Sequence, residues 1–256
     1  MEKTSLNIIK VGGAVVEDST SLDALLEAFA LLPGQKILVH GGGRAATQIA
    51  SQMGIESTMI EGRRVTDSDM LRVVTMVYGG LVNKNIVASL QARGINALGL
   101  TGADLGYMLS EKRLVGKVDY GFVGDVKKTD ASALAKLIDD NIVPVLAPLT
   151  HDGQGHLLNT NADTIAAEAA KALAQLFDVT LTFCFEKKGV LLDADDEESV
   201  VPILRRVDFE KYVAQGIISG GMIPKIENAF QAIRSGVKRV IITRADNMQG
   251  GTQIIE

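Results

Sequence analysis

The segment from Lys36 to Gly43, KILVHGGG, is a short apolar run that ends in three glycines and then opens into a helical pattern. Glycines at a strand-to-helix turn allow backbone N–H groups to approach an anion closely. A second such turn, NIIKVGG from Asn7 to Gly13, ends in two glycines with Lys10 just before them. Two glycine-rich strand ends, one of which carries a lysine, predict a site for two negatively charged groups and therefore favour phosphoryl transfer.

Strand-like and helix-like patterns alternate along all 256 residues, which predicts an α/β fold with a mainly parallel sheet covered by helices. The composition agrees, because 46% of the residues are hydrophobic while only 4% are aromatic and none is Trp. Such a core consists mainly of Val, Ile, Leu and Ala, as in sheets that are buried on both faces. We find neither repeats nor a linker and therefore expect one continuous domain.

Two segments stand apart from the strand-helix alternation. After Arg113 the sequence LVGKVDYGFVGDV alternates with glycines, which predicts a hairpin. Near the end of the chain, GGTQII predicts a short closing edge strand.

The net charge of −5 argues against a nucleic-acid partner, since a duplex-binding protein normally carries a basic patch. The N-terminal sequence MEKTSLNIIKVGG has no apolar signal region, and we find no apolar stretch of membrane-spanning length. We therefore expect a cytoplasmic protein without a membrane partner.

A dinucleotide-binding turn is the alternative interpretation of the three glycines. Gly41, Gly43 and Ala46 satisfy the pattern G-x-G-x-x-A after a strand, and Glu61 follows about 20 residues later, where an acidic residue would bind a ribose. This pattern is weak, and it leaves the second turn with Lys10 unexplained. A nicotinamide-dependent oxidoreductase therefore remains the distant alternative.

Charged residues beside the glycine turns fit phosphoryl transfer better. Lys10 ends the first strand, and Lys225 lies one turn into a helix that follows SGGMIP, so both can place positive charge near phosphate oxygens. Arg64, in EGRRVTD, can bind a carboxylate through two parallel hydrogen bonds. Asn159 and Asp163, in LLNTNAD, lie between a strand and a helix, where Asp163 can orient the two lysines.

Five motifs in the order KVGG, VHGGG, GRRVT, LNTNAD and SGGMIPKIENA, between about Asn7 and Ile255, resemble the amino-acid kinase family. Within that family they are most similar to the acylglutamate kinases of arginine biosynthesis. The resemblance implies a three-layer αβα sandwich that phosphorylates the γ-carboxylate of N-acetyl-L-glutamate. It implies MgATP as the co-substrate. Because the sequence shows no dense set of carboxylates, we expect no permanent metal ion. The same resemblance implies one domain, residues 1–256, in which residues 1–175 bind the acylglutamate and residues 176–256 bind the nucleotide.

The resemblance also implies roles for individual residues. Those roles are catalysis for Lys10, Lys225 and Asp163; phosphate binding for Gly12, Gly13 and Gly41; substrate binding for Gly42, Gly43, Arg64 and Asn159; and nucleotide binding for Glu186, Gly189, Val190, Leu191, Ile217, Ile218 and Ser219.

Two departures from the family pattern lie on the nucleotide side. Glu186, Lys187 and Lys188 stand where an Asp followed by small residues is common, and Ser219-Gly220 stands where a pair such as Thr-Asp is common. The chain also lacks the N-terminal helical extension of arginine-inhibited hexamers, so the resemblance implies an arginine-insensitive homodimer.

The acyl group stays open at this point, because some relatives use N-succinyl-L-glutamate. The extra carboxylate of a succinyl group would need a second cation, for which Arg63, Arg72 and Lys84 are the candidates. Kinases for aspartate, glutamate, carbamate or nucleoside monophosphates fit GRRVT and LNTNAD less well. A catalytically silent regulatory subunit is disfavoured, because every expected charged group is present.

Overall fold

The computed structural model describes residues 3–60, 62–193, 195–248 and 250–256. The strands are β1 Ser5–Val11, β2 Gln35–His40, β3 Met59–Ile60, β4 Arg63–Arg64, β5 Ala97–Leu100, β6 Met108–Lys112, β7 Gly124–Thr129, β8 Val143–Leu146, β9 Leu149–His151, β10 Leu157–Asn159, β11 Asp178–Phe185, β12 Ile203–Arg205, β13 Arg239–Arg244 and β14 Thr252–Ile255. The helices are α1 Gly13–Glu17, α2 Ser19–Leu31, α3 Gly43–Gln52, α4 Ser68–Val74, α5 Asn83–Gln91, α6 Ala131–Asp139, α7 Ala162–Leu173, α8 Arg206–Ala214 and α9 Met222–Arg234.

Eight of these strands form one large sheet in the order β12-β14-β13-β11-β1-β2-β8-β5. Neighbouring strands in it are parallel except for β13 and β14, so the prediction of a mainly parallel sheet is confirmed. The prediction that GGTQII is an edge strand is wrong, because β14 lies between β12 and β13. The edge strand on this side of the sheet is β12, whose three residues are too few to give a periodic pattern.

Helices cover both faces of the large sheet. Along β1, Leu6 and Ile8 join a core with α6 to α9, whereas Ile9 and Val11 join a second core with α1 to α5. Successive side chains of a strand point to opposite faces, so Lys10 shares the face of Leu6 and Ile8. The predicted three-layer αβα arrangement is therefore confirmed, and Lys10 faces the layer that contains α7.

The predicted hairpin after Arg113 is confirmed in part. It is formed by β6 and β7, which pair antiparallel on either side of residues 113–123. These strands belong to a second sheet in the order β10-β9-β6-β7. The backbone N–H of Asn159 donates to the carbonyl oxygen of Phe122 over 2.9 Å, so the hairpin loop fixes the position of Asn159.

The segment from α4 to α5 is helical throughout, with a π-helical section at Thr75–Val82 between them. The Asp67 side chain caps its start by accepting a hydrogen bond from the Met70 backbone N–H over 2.8 Å. Among the described residues, the segment Ser68–Gln91 is long and apolar enough to cross a membrane by length and composition, which the sequence reading had not recognised. Its residues Met70, Val73 and Ile86 belong to the core beneath the large sheet, and that packing accounts for part of the apolar character.

Candidate active site

The two glycine turns lie in contact at the carboxyl end of the large sheet. Strands β1 and β2 are parallel neighbours with Val11 opposite His40, so the turns that follow them meet. A Cβ atom on Gly41 would lie 3.2 Å from the backbone nitrogen of Gly13. Gly42 has a φ of +155°, and a Cβ there would lie 3.1 Å from the Tyr78 ring. Larger residues would therefore separate the turns or strain them.

His40 is fully buried between β2 and α5, and it supports the second turn. Its Nδ1 lies 2.7 Å from the carbonyl oxygen of Gly41, and its Nε2 lies 3.1 Å from Nδ2 of Asn83. A carbonyl oxygen only accepts and an amide nitrogen only donates, so the imidazole is neutral with its proton on Nδ1. Burial lowers the pKa of His40 to about 4, which keeps the ring neutral. Sequence reasoning missed this residue, although it directly precedes the glycines.

Lys10 and Asp163 form a buried ion pair, with 2.6 Å between Lys10 Nζ and Asp163 Oδ1. Lys10 comes from the end of β1, and Asp163 from the first turn of α7, which Asn161 caps. The carboxylate therefore compensates the charge of Lys10, and its role in orienting both lysines stays a prediction.

Lys225 comes to the same place from the first turn of α9. Burial lowers the pKa of Lys225, and the charge of Lys10 lowers it further, while Asp163 and Glu186 raise it. The three predicted catalytic residues are therefore close enough to influence one another electrostatically, although Lys10 and Asp163 are more than 150 residues apart in the sequence.

A first cavity, of about 500 Å³, opens between the glycine turns and the loop before α7. Six of the predicted site residues line it: Gly13, Gly41, Gly42, Gly43, Arg64 and Asn159. Arg64 Nη2 donates to the carbonyl oxygen of Gly43 over 2.7 Å and to Thr47 Oγ1 over 2.9 Å, and Nη1 donates to Ser57 Oγ. Asn159 Nδ2 donates to Thr66 Oγ1 over 2.9 Å. These bonds fix both side chains at the cavity wall.

A second cavity, of about 280 Å³, lies beside the first. It is lined by the predicted residues Lys10, Gly12, Gly13, Glu186, Gly189 and Lys225. Gly13, Ala14 and Arg44 line both cavities, so the two spaces meet at the glycine turns. The arrangement can hold one anionic ligand on each side of the turns, with both lysines on the second side.

The other five residues predicted to bind the nucleotide are not among the described residues that line the second cavity. Val190 and Ile218 are buried in the core, and the Val190 backbone N–H donates to Thr252 Oγ1 over 2.8 Å. Ile217 packs against the same core, and Ser219 is exposed. Leu191 forms an isolated bridge with Val200. A role for these five residues in nucleotide binding stays a prediction, as does the division of the chain at about residue 175.

The three candidates for a second substrate cation fall in different places. Arg63 lines the first cavity beside Arg64. Lys84 Nζ instead donates to Asn83 Oδ1 and to the carbonyl oxygen of Gly99, each over 3.0 Å. Arg72 forms an exposed ion pair with Asp69. Arg63 is therefore the candidate that the fold brings to the ligand site.

The structure adds no support for a dinucleotide-binding turn at Gly41, Gly43 and Ala46. Ala46 is fully buried in the core, and Glu61 lies outside the described residues. Two further residues that line the cavities were missed by sequence reasoning. Arg44 lines both cavities, and the ring of Phe185 lies under Lys10 and Lys225.

Metal-ligating side chains are sparse here. Within the described ranges, no group of three or more His, Cys, Asp or Glu side chains lies close enough together to hold a metal ion. The expectation that magnesium comes only with a nucleotide stays a prediction.

Comparison with known proteins defines the class. The model of the amino acid kinase family matches residues 5–244, so the chain belongs to that family. It is 67% identical to a protein of Parabacteroides distasonis named acetylglutamate kinase, over 98% of both chains. The resemblance inferred from the five motifs is thereby confirmed.

Solved structures agree with the predicted fold. The crystal structure of smu.665 from Streptococcus mutans matches with a TM-score of 0.82 and 29% identity, over 97% of this chain and 98% of that one. Carbamate kinase from Giardia lamblia, bound to AMP-PNP, matches with a TM-score of 0.69 and 14% identity over the whole of both chains. The predicted amino-acid and carbamate kinase fold is therefore confirmed.

Proposed function

We propose that this protein is an acetylglutamate kinase, which transfers the γ-phosphoryl group of ATP to the γ-carboxylate of N-acetyl-L-glutamate. The products are N-acetyl-L-glutamyl 5-phosphate and ADP, as a step of arginine biosynthesis. The observation that carries the proposal is the meeting of two cavities at the paired glycine turns, with Lys10 and Lys225 on one side. The 67% identity to a protein named acetylglutamate kinase supports the choice of substrate.

The first cavity is proposed to bind the acylated amino acid. Arg64 and Asn159 lie fixed in its wall, and their side chains suit a carboxylate and an amide group. The backbone of Gly43 adds further polar contacts at the start of α3, where the first N–H groups of a helix have no acceptor within the helix. The γ-carboxylate would then point toward the shared residue Gly13.

The second cavity is proposed to hold the phosphates of ATP. An oxygen of the γ-carboxylate attacks the γ-phosphorus, and the bond from that phosphorus to the β,γ-bridging oxygen breaks. The negative charge on the transferring group is stabilised by Lys10 and Lys225 and by the backbone N–H groups of Gly13 and Gly42. The N–H groups of Gly12 and Gly41 instead donate to the carbonyl oxygens of Cys184 and Val11, which holds the two turns in place. Asp163 holds Lys10 in place without contacting the substrate.

The nucleotide is proposed to extend from the lysines toward Glu186 and Gly189, which line the second cavity. Magnesium would enter with ATP and neutralise charge on the β- and γ-phosphates. The polar groups of the cavity, mainly ammonium and amide N–H, suit phosphate oxygens and not a bare cation. This donor set therefore fits a metal that the nucleotide carries.

N-succinyl-L-glutamate is the second candidate substrate. Arg63 lies in the wall of the first cavity beside Arg64, where a guanidinium could meet the extra carboxylate of a succinyl group. The chemistry of phosphoryl transfer would be the same for both acyl groups.

We further propose a cytoplasmic homodimer. Met76 and Leu81, on the long helical segment, are 49% and 51% exposed, which gives a second copy of the chain an apolar surface to cover. Sedimentation of the wild type and of Leu81→Glu would test this, since a dimer that uses this surface should dissociate in the variant. A wild type that sediments as a monomer would exclude it.

The activity is tested by trapping the acyl phosphate with hydroxylamine. Wild-type protein is incubated with MgATP and with glutamate, N-acetylglutamate or N-succinylglutamate, and the hydroxamate is measured. We expect the highest kcat/KM with N-acetylglutamate, and we expect no hydroxamate to form without ATP. A preference for N-succinylglutamate would select the second candidate, and no hydroxamate with any acceptor would refute the proposal.

The nicotinamide alternative is tested by calorimetry on the same preparation. We expect MgATP to bind and NAD to give no heat. Tight binding of NAD that is lost in Glu61→Ala would restore the dinucleotide interpretation of Gly41, Gly43 and Ala46.

A further inference from the structure

Two ammonium groups lie against one aromatic ring at the wall of the second cavity. Lys225 Nζ is 3.7 Å from the ring centroid of Phe185, and Lys10 Nζ is 5.0 Å from it. Both distances are within the range in which a cation is attracted to the ring face. Phe185 also lines the second cavity.

The sheet determines that these groups meet. Strands β1 and β11 are parallel neighbours with Lys10 opposite Phe183, so Phe185 lies two residues farther along on the same face. The rings of Phe183 and Phe185 are parallel to within 1°, with 6.1 Å between centroids. Because Phe183 is almost fully buried, it limits the orientation of the Phe185 ring.

The two lysines differ in how closely a negative charge approaches their ammonium groups. The ion pair of Asp163 is made with Lys10, at 2.6 Å. Lys225 is influenced at longer range by Asp163 and Glu186, which favour its charged form, and by Lys10, which opposes it. Lys225 therefore depends on another group to keep its ammonium charged and in position.

We infer that Phe185 is a positioning residue for phosphoryl transfer, whose ring face holds the ammonium of Lys225, and more weakly that of Lys10, at the wall of the second cavity. The inference rests on the proposed kinase function for its catalytic part. Its structural part, attraction of the ammonium to the ring, holds in the protein without substrates. The two parts are therefore tested by separate measurements.

The catalytic part is tested by Phe185→Leu, which removes the ring but keeps an apolar side chain. We expect kcat at saturating MgATP to fall about tenfold, because a misplaced lysine stabilises the transition state less well. The KM for the acylglutamate should stay within about twofold of the wild-type value, because Phe185 is not among the described residues that line the first cavity. Phe185→Tyr, which keeps the ring, should retain most of the wild-type kcat.

Phe209→Leu is the matched control. Phe209 lies in the same part of the chain and has the guanidinium of Arg206 over its ring at 5.7 Å, and it is buried whereas Phe185 is partly buried. This control should lose stability without a change in kcat. A tenfold loss of kcat in both variants would mean that core packing, and not the ring at Lys225, is responsible.

The structural part is tested by NMR on protein labelled with ¹³C at the lysine ε-carbons. Lys225→Arg identifies the Lys225 signal by its loss. Because the ring stabilises the ammonium, Phe185→Leu should lower the pH at which Lys225 titrates, whereas Phe209→Leu should leave it unchanged. If the ring only excluded water from Lys225, the result would be the opposite, because the smaller leucine would admit water and raise the pKa of Lys225.

The outcomes separate this inference from the proposed function. If wild-type protein forms no acyl phosphate, the function is refuted, while the titration still reports on the ring. If the wild type is active but Lys225 titrates in Phe185→Leu at the wild-type pH or above it, the inference is overturned. An unchanged kcat in Phe185→Leu, whatever the titration, overturns its catalytic part.

Discussion

Lys10 Nζ lies 2.6 Å from the carboxylate of Asp163, where the end of β1 meets the first turn of α7. Both side chains are almost fully buried, and their charges are carried by elements on two different layers of the fold. A buried ion pair of this kind contributes little net stability, but the loss of one partner leaves an uncompensated charge. The pair therefore ties the position of a proposed catalytic cation to the packing of α7 on the sheet.

The first prediction concerns the two lysines. Lys10→Met and Lys225→Met should each lower kcat by about 10²- to 10³-fold, because each removes positive charge that is needed most in the transition state. The KM for N-acetylglutamate should change little, because neither lysine is among the described residues that line the first cavity. Steady-state kinetics with saturating MgATP provide the measurement.

Lys238→Met is the control, because Lys238 is an exposed lysine paired with Asp178. It should retain wild-type kcat. If Lys225→Met retained it as well, Lys225 would have no part in catalysis.

The second prediction is that Lys10 and Asp163 act as a unit. Asp163→Asn alone should destabilise the fold by about 3 kcal/mol, because Lys10 is then a buried charge without its partner. In the double variant with Lys10→Met, the losses of stability and of kcat should be smaller than the sums of the single losses by more than about 1 kcal/mol. Urea unfolding and kinetics measure the two effects.

The variant pair Lys10→Met and Asp163→Leu tests the same unit without a charged remnant. Its stability should approach that of the wild type, while its kcat should stay low. Strictly additive losses in both experiments would show that the two side chains act independently.

The third prediction concerns Arg64, which is held by Gly43, Thr47 and Ser57 at the wall of the first cavity. Arg64→Lys keeps the charge but loses the forked geometry that binds a carboxylate. The KM for N-acetylglutamate should rise about 10- to 100-fold, which corresponds to the loss of a charged hydrogen bond. The KM for MgATP should remain close to the wild-type value.

Arg72→Lys is the matched control, since Arg72 is exposed and pairs with Asp69. It should leave both KM values unchanged. An unchanged KM in Arg64→Lys would remove Arg64 from the proposed substrate site.

Much of this site could be predicted from the sequence, because each of its motifs consists of residues that are close together in the chain. A strand that ends in glycines, a lysine before them and an aspartate after a helix cap are each visible within a few residues. Adjacent parallel strands then bring Lys10, Gly13 and Gly41 to one edge of the sheet. The position of β14 could not be predicted, because its insertion beside β13 depends on pairing between distant segments.

Phe185 and His40 were missed for a related reason. Each is an ordinary strand residue in the sequence, and its role follows only from what the opposite layer presents to it. For Phe185 that partner is Lys225 from α9, and for His40 it is Asn83 from α5. Strand periodicity gives the face on which a side chain lies but not which helix covers it.

The fourth prediction is a loss of stability in acid that depends on His40. Its pKa is lowered by burial from 6.5 to about 4 in the folded protein. The unfolded chain therefore binds a proton first as the pH falls, so stability is fully present above about 6.5 and is lost between about 6.5 and 4. The loss should reach about 3 kcal/mol at the acid end of that range. Urea unfolding between pH 4 and 8 measures it.

His40→Gln should remove most of this pH dependence, although it also lowers stability at pH 8 because Asn83 and Gly41 lose their partner. His156→Gln, on an exposed turn, should leave the dependence intact. If His40→Gln and the wild type lost the same free energy between pH 8 and pH 4, other groups would be responsible.

The last prediction concerns the contact between the two glycine turns. A methyl group on Gly41 would lie 3.2 Å from the Gly13 nitrogen and 3.4 Å from its Cα, and both neighbours are backbone atoms. Gly41→Ala should therefore push the turns apart by a few tenths of an ångström, which is enough to misalign N–H groups that must meet the transferring phosphoryl. We expect kcat to fall about 10- to 100-fold with a loss of stability of about 1 kcal/mol.

Gly80→Ala is the matched control for the same chemical change. Gly80 lies in the π-helical section, and a methyl group there would meet no atom within 4 Å. Because alanine restricts the unfolded chain, this variant should be as stable as the wild type or about 0.5 kcal/mol more stable, with kcat unchanged. Retention of full kcat in Gly41→Ala would show that the close approach of the two turns is a packing feature and not a requirement for phosphoryl transfer.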